Sequence, residues 1–208
     1  PICLDDFFFS VGLDTDPFLL PSPAISVAVL VFFFGLRKEE KDQISSSSIV
    51  EHAPGAFRLS LTHTKGRLIK DIAIFCVCEQ LDRIRFGASA LCHCHAARQV
   101  ITDDLTPAGI PWCDILGALA SAAPERTHPK SHGFRVGCLC ALFALEPTTG
   151  LLPIIAHLRW ASTDMALYYC RLRPLFNSIF AEVDWITPPS ILASAPRELL
   201  FHISESLA

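Results

Sequence analysis

Six side chains scattered along the sequence have the chemistry needed to act together on a phosphate group. They are a phenol, an imidazole, an indole, two guanidinium groups and an ammonium group: Tyr169, His132, Trp160, Arg37, Arg135 and Lys65. Tyr seldom serves as an enzymatic nucleophile, and it needs cationic neighbours around the phosphate that it attacks. Arg, Lys and His side chains are the kind of neighbours that a Tyr nucleophile needs, so these residues are candidates for phosphate chemistry.

The spacing of these residues is typical of helices. His132 and Arg135 are three apart, which places them on one side of a helical turn. Tyr168 and Tyr169 are adjacent and point about 100° apart on a helix, so only one of them can reach the site. A count of nine residues from Trp160 favours Tyr169, whereas nine from Arg159 favours Tyr168.

Several helices and one hairpin are expected to position these groups. The hydrophobic patterns predict helices at 24–34, 37–44, 79–100, 112–122, 132–145, 151–158, 161–172 and 176–185. Alternation at 56–62 and the apolar segment 68–78 predict two paired strands, with Lys65 near the hairpin tip. We therefore expect a mainly α protein with a small antiparallel β-hairpin or sheet, an α+β fold.

The length of 208 residues is sufficient for one domain with a substantial core. We expect residues 23–185 to form that domain and 186–208 to be a C-terminal tail. The first residue is Pro, so we interpret 1–22 as a lead-in, the remnant of a missing N-terminal region.

Charge gives a mixed indication about nucleic acid. The net charge of −4 argues weakly against a DNA partner, since DNA-binding domains are usually basic. Residues 36–70 nevertheless hold seven Lys and Arg against four Asp and Glu, while residues 1–35 hold four Asp and no Lys or Arg. The basic residues thus concentrate around the expected phosphate site.

Nine Cys residues raise the possibility of a metal-binding module. We expect reduced, mostly buried thiols, because the number is odd and the chain is long for a disulfide-stabilised miniprotein. Cys76-x-Cys78 and Cys92-His93-Cys94-His95 could supply four soft ligands to zinc. Neither cluster has the usual zinc spacing, so a zinc-binding module is an alternative and not the main interpretation.

The apolar stretch ahead of Arg37 does not predict a membrane span. Its uninterrupted part, 24–36, is shorter than the roughly 20 residues that cross a bilayer. We expect a buried helix there and no membrane partner.

Taken in order, the motifs resemble the active-site series of the tyrosine recombinases, the phage-integrase family of DNA breaking-and-rejoining enzymes. The matching motifs are Gly35-x-Arg37-x-x-Glu40, Lys65 in the hairpin turn, His132-x-x-Arg135, Arg159-Trp160-x-Ser162 and Tyr169-x-Arg171. The last two look much like the versions found in eukaryotic mobile elements. The resemblance covers about residues 23–185.

The resemblance implies strand exchange through a covalent 3′-phosphotyrosyl intermediate, with no cofactor and no metal. It implies that Arg37 and Arg135 hold the phosphate, that Lys65 is the general acid and that Tyr169 is the nucleophile. His132 is then a proton acceptor or phosphate donor, and Trp160 adds an indole donor. The implied partner is double-stranded DNA, with self-association on it, in an intracellular location that is the nucleus in a eukaryote.

The sequence also departs from the family pattern. Cys138-Leu139-Cys140 replaces the usual small residues after the second motif, and His157 stands where a Gly is often found. A catalytically decayed, recombinase-derived domain that binds DNA or another partner is therefore the main alternative.

Overall fold

The computed structural model describes residues 2, 22–63, 71–84, 88–122, 129–145, 149–170 and 183–189. These residues form an α+β fold of eight α-helices and one small antiparallel sheet. The helices are α1 Pro23–Phe33, α2 Lys38–Lys41, α3 Cys78–Ile84, α4 His93–Thr102, α5 Trp112–Ala122, α6 Ser131–Ala144, α7 Leu151–His157 and α8 Thr163–Cys170. Short 3-10 helices lie at Ser46–Ser48, Ala88–Leu91 and Pro107–Gly109.

The sheet has three antiparallel strands in the order β1-β2-β3, at Ile49–Ala53, Ala56–Ser60 and Asp71–Phe75. Phe57 and Leu59 of β2 are fully buried and pair with Ile74 and Ile72 of β3. Arg58 and Ser60, on the opposite face of β2, are exposed, so the sheet has one face on the core and one in solvent.

Helix α1 is the centre of the hydrophobic core. Its residues from Ile25 to Phe33 are all buried, because every one except Ser26, which donates to Gln99 Oε1, is apolar. The side chain of Ser22 accepts a hydrogen bond from the Ile25 amide, and Pro23 occupies the first turn, as expected for a helix start. The helix packs against α4, α5 and α6, so it holds the site-bearing α6 in place.

The C-terminus of α1 ends in a Schellman motif. The Leu36 amide donates to the Val31 carbonyl, and the Gly35 amide donates to the Phe32 carbonyl. Gly35 has a φ of +54°, which a glycine adopts without the Cβ penalty of other residues. The turn leaves the carbonyl groups of Phe33, Phe34 and Gly35 available to other donors.

Several predicted elements differ from those observed. The predicted helix 79–100 is interrupted: α3 and α4 are separate helices with a 3-10 segment between them. The strand at Ile49–Ala53 was missed, because only Ile49 is buried and the segment shows no alternation. In the predicted tail helix 176–185, residues 183–185 are not helical, and the earlier part lies outside the described residues.

One residue of the predicted lead-in packs on the domain. Ile2 is buried, and its amide donates to the Gly133 carbonyl of α6 at 3.1 Å. Among the described helices there is no span long and apolar enough to cross a membrane.

Candidate active site

Helices α6 and α8 bring an imidazole and a phenol into direct contact. His132 Nε2 lies 2.9 Å from Tyr169 Oη, and the two rings are 5.4 Å apart between centroids. The helices pack side by side, so the contact joins residues 37 positions apart in sequence. Partial burial and the positive charge of Arg135 lower the pKa of His132 below its usual value. A neutral imidazole has a free nitrogen that can accept the phenol proton.

Trp160 also packs against the phenol ring of Tyr169. Its ring stacks on Tyr169 at 5.8 Å with an interplanar angle of 28°. The guanidinium of Arg135 lies over the indole ring, 5.4 Å from its centroid, which is a favourable cation–π arrangement. Trp160 therefore contacts both Arg135 and the Tyr169 phenol. Tyr168 is half-exposed and meets Tyr169 edge-on.

Three guanidinium groups surround one buried carboxylate. Glu40 Oε1 is 2.8 Å from Arg37 Nη1, and Glu40 Oε2 is 2.7 Å from Arg159 Nη2 and 3.9 Å from Arg135 Nη1. Burial alone would raise the pKa of Glu40, but its hydrogen bonds with Arg159 and Arg37 and the charge of Arg135 hold it below the usual value. These four residues together carry a net charge of +2, which favours an anion nearby.

The buried Arg159 and Arg135 differ in how their donors are used. Arg159 donates to Glu40 and to the carbonyl groups of Phe34, Gly35 and His157, through Nε and both terminal nitrogens. Arg135 Nη1 donates to the Gly35 carbonyl at 2.8 Å. Its Nη2 is buried and has no hydrogen-bond partner within the described part of the chain. Arg159 is thus committed to the fold, whereas Arg135 retains donors.

The site's electrostatics follow from this arrangement. Burial, together with the positive charges of Arg159 and Arg37, lowers the pKa of Arg135 to about 9. An anion that accepts hydrogen bonds from Nη2 would offset the repulsion from these two cations and raise the pKa of Arg135 again. Arg135 thus keeps one buried, unpaired donor among the described residues, next to the Trp160 ring.

The C-terminal end of α1 anchors the cluster. The Phe33 carbonyl accepts hydrogen bonds from His157 Nε2 at 2.7 Å and Trp185 Nε1 at 2.8 Å. The Gly35 carbonyl accepts from both Arg135 and Arg159. Hydrogen-bond donors at a helix C-terminus pair with its free carbonyl groups, and cations there interact favourably with the negative end of the helix dipole. The fold therefore fixes two guanidinium groups against a rigid turn.

Five of the six residues singled out in the sequence lie in this region. Arg37 precedes α2, His132 and Arg135 are on α6, Trp160 follows α7, and Tyr169 is on α8. Lys65 lies outside the described residues, as does Arg171.

The sequence interpretation gave Arg159 no role in the site. It is 2% exposed and has a φ of +52°, an uncommon conformation for a residue with a Cβ. The signal available in the sequence was its position directly before Trp160 in the Arg-Trp-x-Ser motif. Glu40 was noted only as part of the first motif, and the structure places it at the centre of the Arg cluster.

Comparisons of the chain with protein-family models, curated proteins and solved structures found no match.

Proposed function

We propose that this chain is the catalytic domain of a tyrosine recombinase, which breaks and rejoins DNA through a covalent link between Tyr169 and a 3′-phosphate. The observation that carries the proposal is the 2.9 Å contact between His132 Nε2 and Tyr169 Oη beside a cluster of Arg residues with net positive charge. A phenol paired with a proton acceptor and near positively charged Arg residues has the components for attack on a phosphodiester.

The phosphodiester is proposed to lie between Arg135 and Tyr169. Arg135 Nη2 would donate to a non-bridging oxygen, and Arg37 would add positive charge at the cluster's more exposed edge. The fixed guanidinium groups then stabilise the charge that develops on those oxygens during displacement. Removing one such donor is expected to slow cleavage by about 10²–10³-fold.

In the proposed step, the Tyr169 oxygen forms a bond to phosphorus while the bond from phosphorus to the 5′-oxygen breaks. The phenol proton passes to the neutral His132, and the departing 5′-oxygen gains a proton to become a hydroxyl group. The bond energy is retained in the phosphotyrosyl link, and attack by another 5′-hydroxyl reverses the step. The resemblance assigns the donated proton to Lys65.

A trapped covalent adduct tests this function. The substrate is a pool of random-sequence DNA duplexes in which one strand is labelled at its 5′ end. The same strand carries a nick a few bases to the 3′ side of the cleavage position. The short 5′-hydroxyl fragment between the cleavage position and the nick then diffuses off, and the labelled fragment stays on the protein. We expect the full chain to form a labelled adduct that resists denaturing electrophoresis. The adduct should disappear in Tyr169→Phe and persist in Tyr168→Phe, which is the matched control.

The same experiment distinguishes the proposed enzyme from a recombinase-derived binding domain. DNA retention in a native gel without an adduct would contradict the enzymatic proposal and favour the decayed alternative. An adduct that persists in Tyr169→Phe and disappears in Tyr168→Phe would overturn the choice of nucleophile.

A further inference from the structure

A second group of reactive side chains lies where the sheet meets α3 and α4. Cys76 follows the end of β3, and Cys78 is the first residue of α3. Cys92 caps the N-terminus of α4, where its sulfur accepts a hydrogen bond from the Cys94 amide. His95 lies in the first turn of the same helix. Segments from three elements therefore bring thiols and an imidazole together.

The sequence pattern predicts one strand over 68–78, which would place Cys76 and Cys78 on the same face with little freedom to turn towards one metal ion. Strand β3 ends at Phe75, so the two residues instead span the junction from a strand to a helix. The chain turns between them, and their sulfurs lie within 4.8 Å of each other and of Cys92 Sγ. The geometric objection to metal binding therefore does not apply to the folded chain.

Two distances match those of a tetrahedral zinc site. Zn–S bonds of about 2.3 Å place two ligand sulfurs about 3.8 Å apart, and a Zn–N bond of about 2.0–2.1 Å places a sulfur and a nitrogen about 3.5 Å apart. Cys76 Sγ and Cys92 Sγ are separated by 3.9 Å. Cys78 Sγ and His95 Nδ1 are separated by 3.5 Å.

We propose that Cys76, Cys78, Cys92 and His95 form a structural zinc site with three sulfur ligands and one nitrogen ligand. The set is one that closed structural sites use, and three thiolates favour zinc over hard cations such as magnesium. Each of the two pairs described above supplies one edge of the tetrahedron. The proposal does not rest on the recombinase function, since these residues are not part of the Arg–Tyr cluster.

Two other residues near this cluster, His93 and Cys94, could also be zinc ligands. Cys92, His93 and Cys94 also bring their ligand atoms within 4.8 Å of one another. His93 is fully buried, however, and its ring packs on Phe33 at 4.5 Å between centroids. Cys94 is fully buried too, and its sulfur faces the Gly55 carbonyl at 3.8 Å. His95 is partly buried and its Nδ1 lies 3.5 Å from Cys78 Sγ, so we assign His95 rather than Cys94 as the fourth ligand beside the fully buried Cys92.

Zinc at this position would tie the sheet to the helices. The Cys76 amide donates to the Gly55 carbonyl at 2.7 Å, which links the junction to the turn between β1 and β2. His93, which packs on Phe33 of α1, is next to the ligand Cys92. The proposed site is therefore structural: it holds β3, α3 and α4 against the helix whose C-terminus carries the Arg cluster.

The metal content of the purified full chain tests the proposal. The protein is prepared with zinc and without added chelator, and bound metal is measured by elemental analysis and by native mass spectrometry. We expect about one zinc per chain, and about one cobalt after exchange, with the visible absorption bands of tetrahedral cobalt bound to thiolates. Chelation should lower Tm by several degrees, and added zinc should restore it.

Variants identify the ligands. Cys78→Ser and His95→Gln should each weaken zinc retention against a competing chelator by at least about tenfold, while the exposed Cys113→Ser should retain it as the wild type does. If a ligand variant fails to fold, cobalt spectra of the wild type and protection of its thiols from alkylation by zinc still decide the matter.

Three results would overturn the proposal. The first is a wild-type chain that retains no zinc and shows no change in Tm with zinc or chelator. The second is a mass two hydrogens lower with a peptide linking Cys76 to Cys92, which would make the pair a disulfide. The third is loss of zinc in Cys94→Ser but not in His95→Gln, which would replace His95 by Cys94 in the ligand set.

Discussion

His132 and Tyr169 meet across the contact between α6 and α8, with 2.9 Å between Nε2 and Oη. Trp160 stacks on the phenol ring, and Arg135 lies over the Trp160 ring. One turn of α6 thus presents an acceptor to the phenol and a guanidinium beside it. This relationship is the basis of the proposed nucleophilic attack, because it gives the phenol proton a destination and the phosphate a cation.

The first prediction concerns the protonation of His132. Burial and the charge of Arg135 lower its pKa, so an NMR titration of the imidazole should give a midpoint below 6.5. Arg135→Gln should raise that midpoint, whereas Arg58→Gln, on the exposed face of the sheet, should leave it unchanged. A midpoint at or above 6.5 in the wild type would contradict the neutral acceptor.

The second prediction is that the rate of adduct formation depends on the protonation state of His132. Only the neutral imidazole accepts the phenol proton, so the rate should fall as the pH drops through the lowered midpoint of His132. His132→Gln should remove this acid limb and slow adduct formation by about 10²–10⁴-fold. Single-turnover rates across a pH series would show whether the acid limb belongs to His132.

Glu40 is predicted to be the residue whose loss damages the Arg cluster most. Glu40→Gln would leave three guanidinium groups close together without their carboxylate, and breaking a buried ion pair in this way costs about 3–5 kcal/mol. The free energy of unfolding is measured by denaturant titration. Glu39→Gln, exposed on the same short helix, is the matched control and should leave stability unchanged. Equal effects of the two substitutions would refute the central role of Glu40.

Gly35 and Gly117 should respond to Ala in opposite directions. Gly35→Ala places a Cβ at positive φ and 2.5 Å from Leu158 Cδ2, which should cost about 1–3 kcal/mol and weaken adduct formation by moving the carbonyl that holds Arg135. Gly117 lies in α5 with open space at the Cβ position, so Gly117→Ala should stabilise the chain by about 0.5–1 kcal/mol. Chemical denaturation of both variants tests this, and a neutral Gly35→Ala would argue against the strained turn.

The buried His157 predicts acid sensitivity. Burial and the charge of Arg159 lower its pKa to about 3, so the folded chain keeps it neutral where the unfolded chain binds a proton. Its contribution is therefore complete above about pH 6.5 and is lost as the pH falls towards 3, by about 1.4 kcal/mol per pH unit. The stability difference between pH 7 and pH 5 should shrink in His157→Gln but not in His52→Gln, at an exposed position of β1. An unchanged difference in His157→Gln would contradict the assignment.

The fold class followed from local sequence patterns where burial and periodicity agreed. The mostly apolar segment 24–34 predicted a buried helix, and the structure has α1 at Pro23–Phe33 with every residue from Ile25 onwards buried. The strand at Ile49–Ala53 could not be predicted in this way, because one buried residue gives no alternation. The division of 79–100 into α3 and α4 was not predicted either, because a single Gly such as Gly87 is tolerated within a helical pattern.

Part of the candidate site could be predicted from the spacing of residues along single helices. Residues three apart on one helix, such as His132 and Arg135, lie on the same face of that helix wherever it packs. Tyr169 was favoured over Tyr168 only by its spacing from Trp160. Arg159 and Glu40 gave no comparable local signal. Their importance depends on carbonyl groups and charges that come together only when α1, α2 and the turn after α7 meet.

Mapping the attachment point of DNA on the chain is the measurement that bears most directly on the account. The adduct formed with a nicked duplex is digested with nuclease and protease, and the peptide that carries the remaining nucleotide is sequenced by mass spectrometry. The account predicts a single nucleotide-bearing residue, Tyr169, linked to a 3′-phosphate. A nucleotide on any other residue, a link to a 5′-phosphate, or no adduct from a folded chain that binds DNA would contradict it.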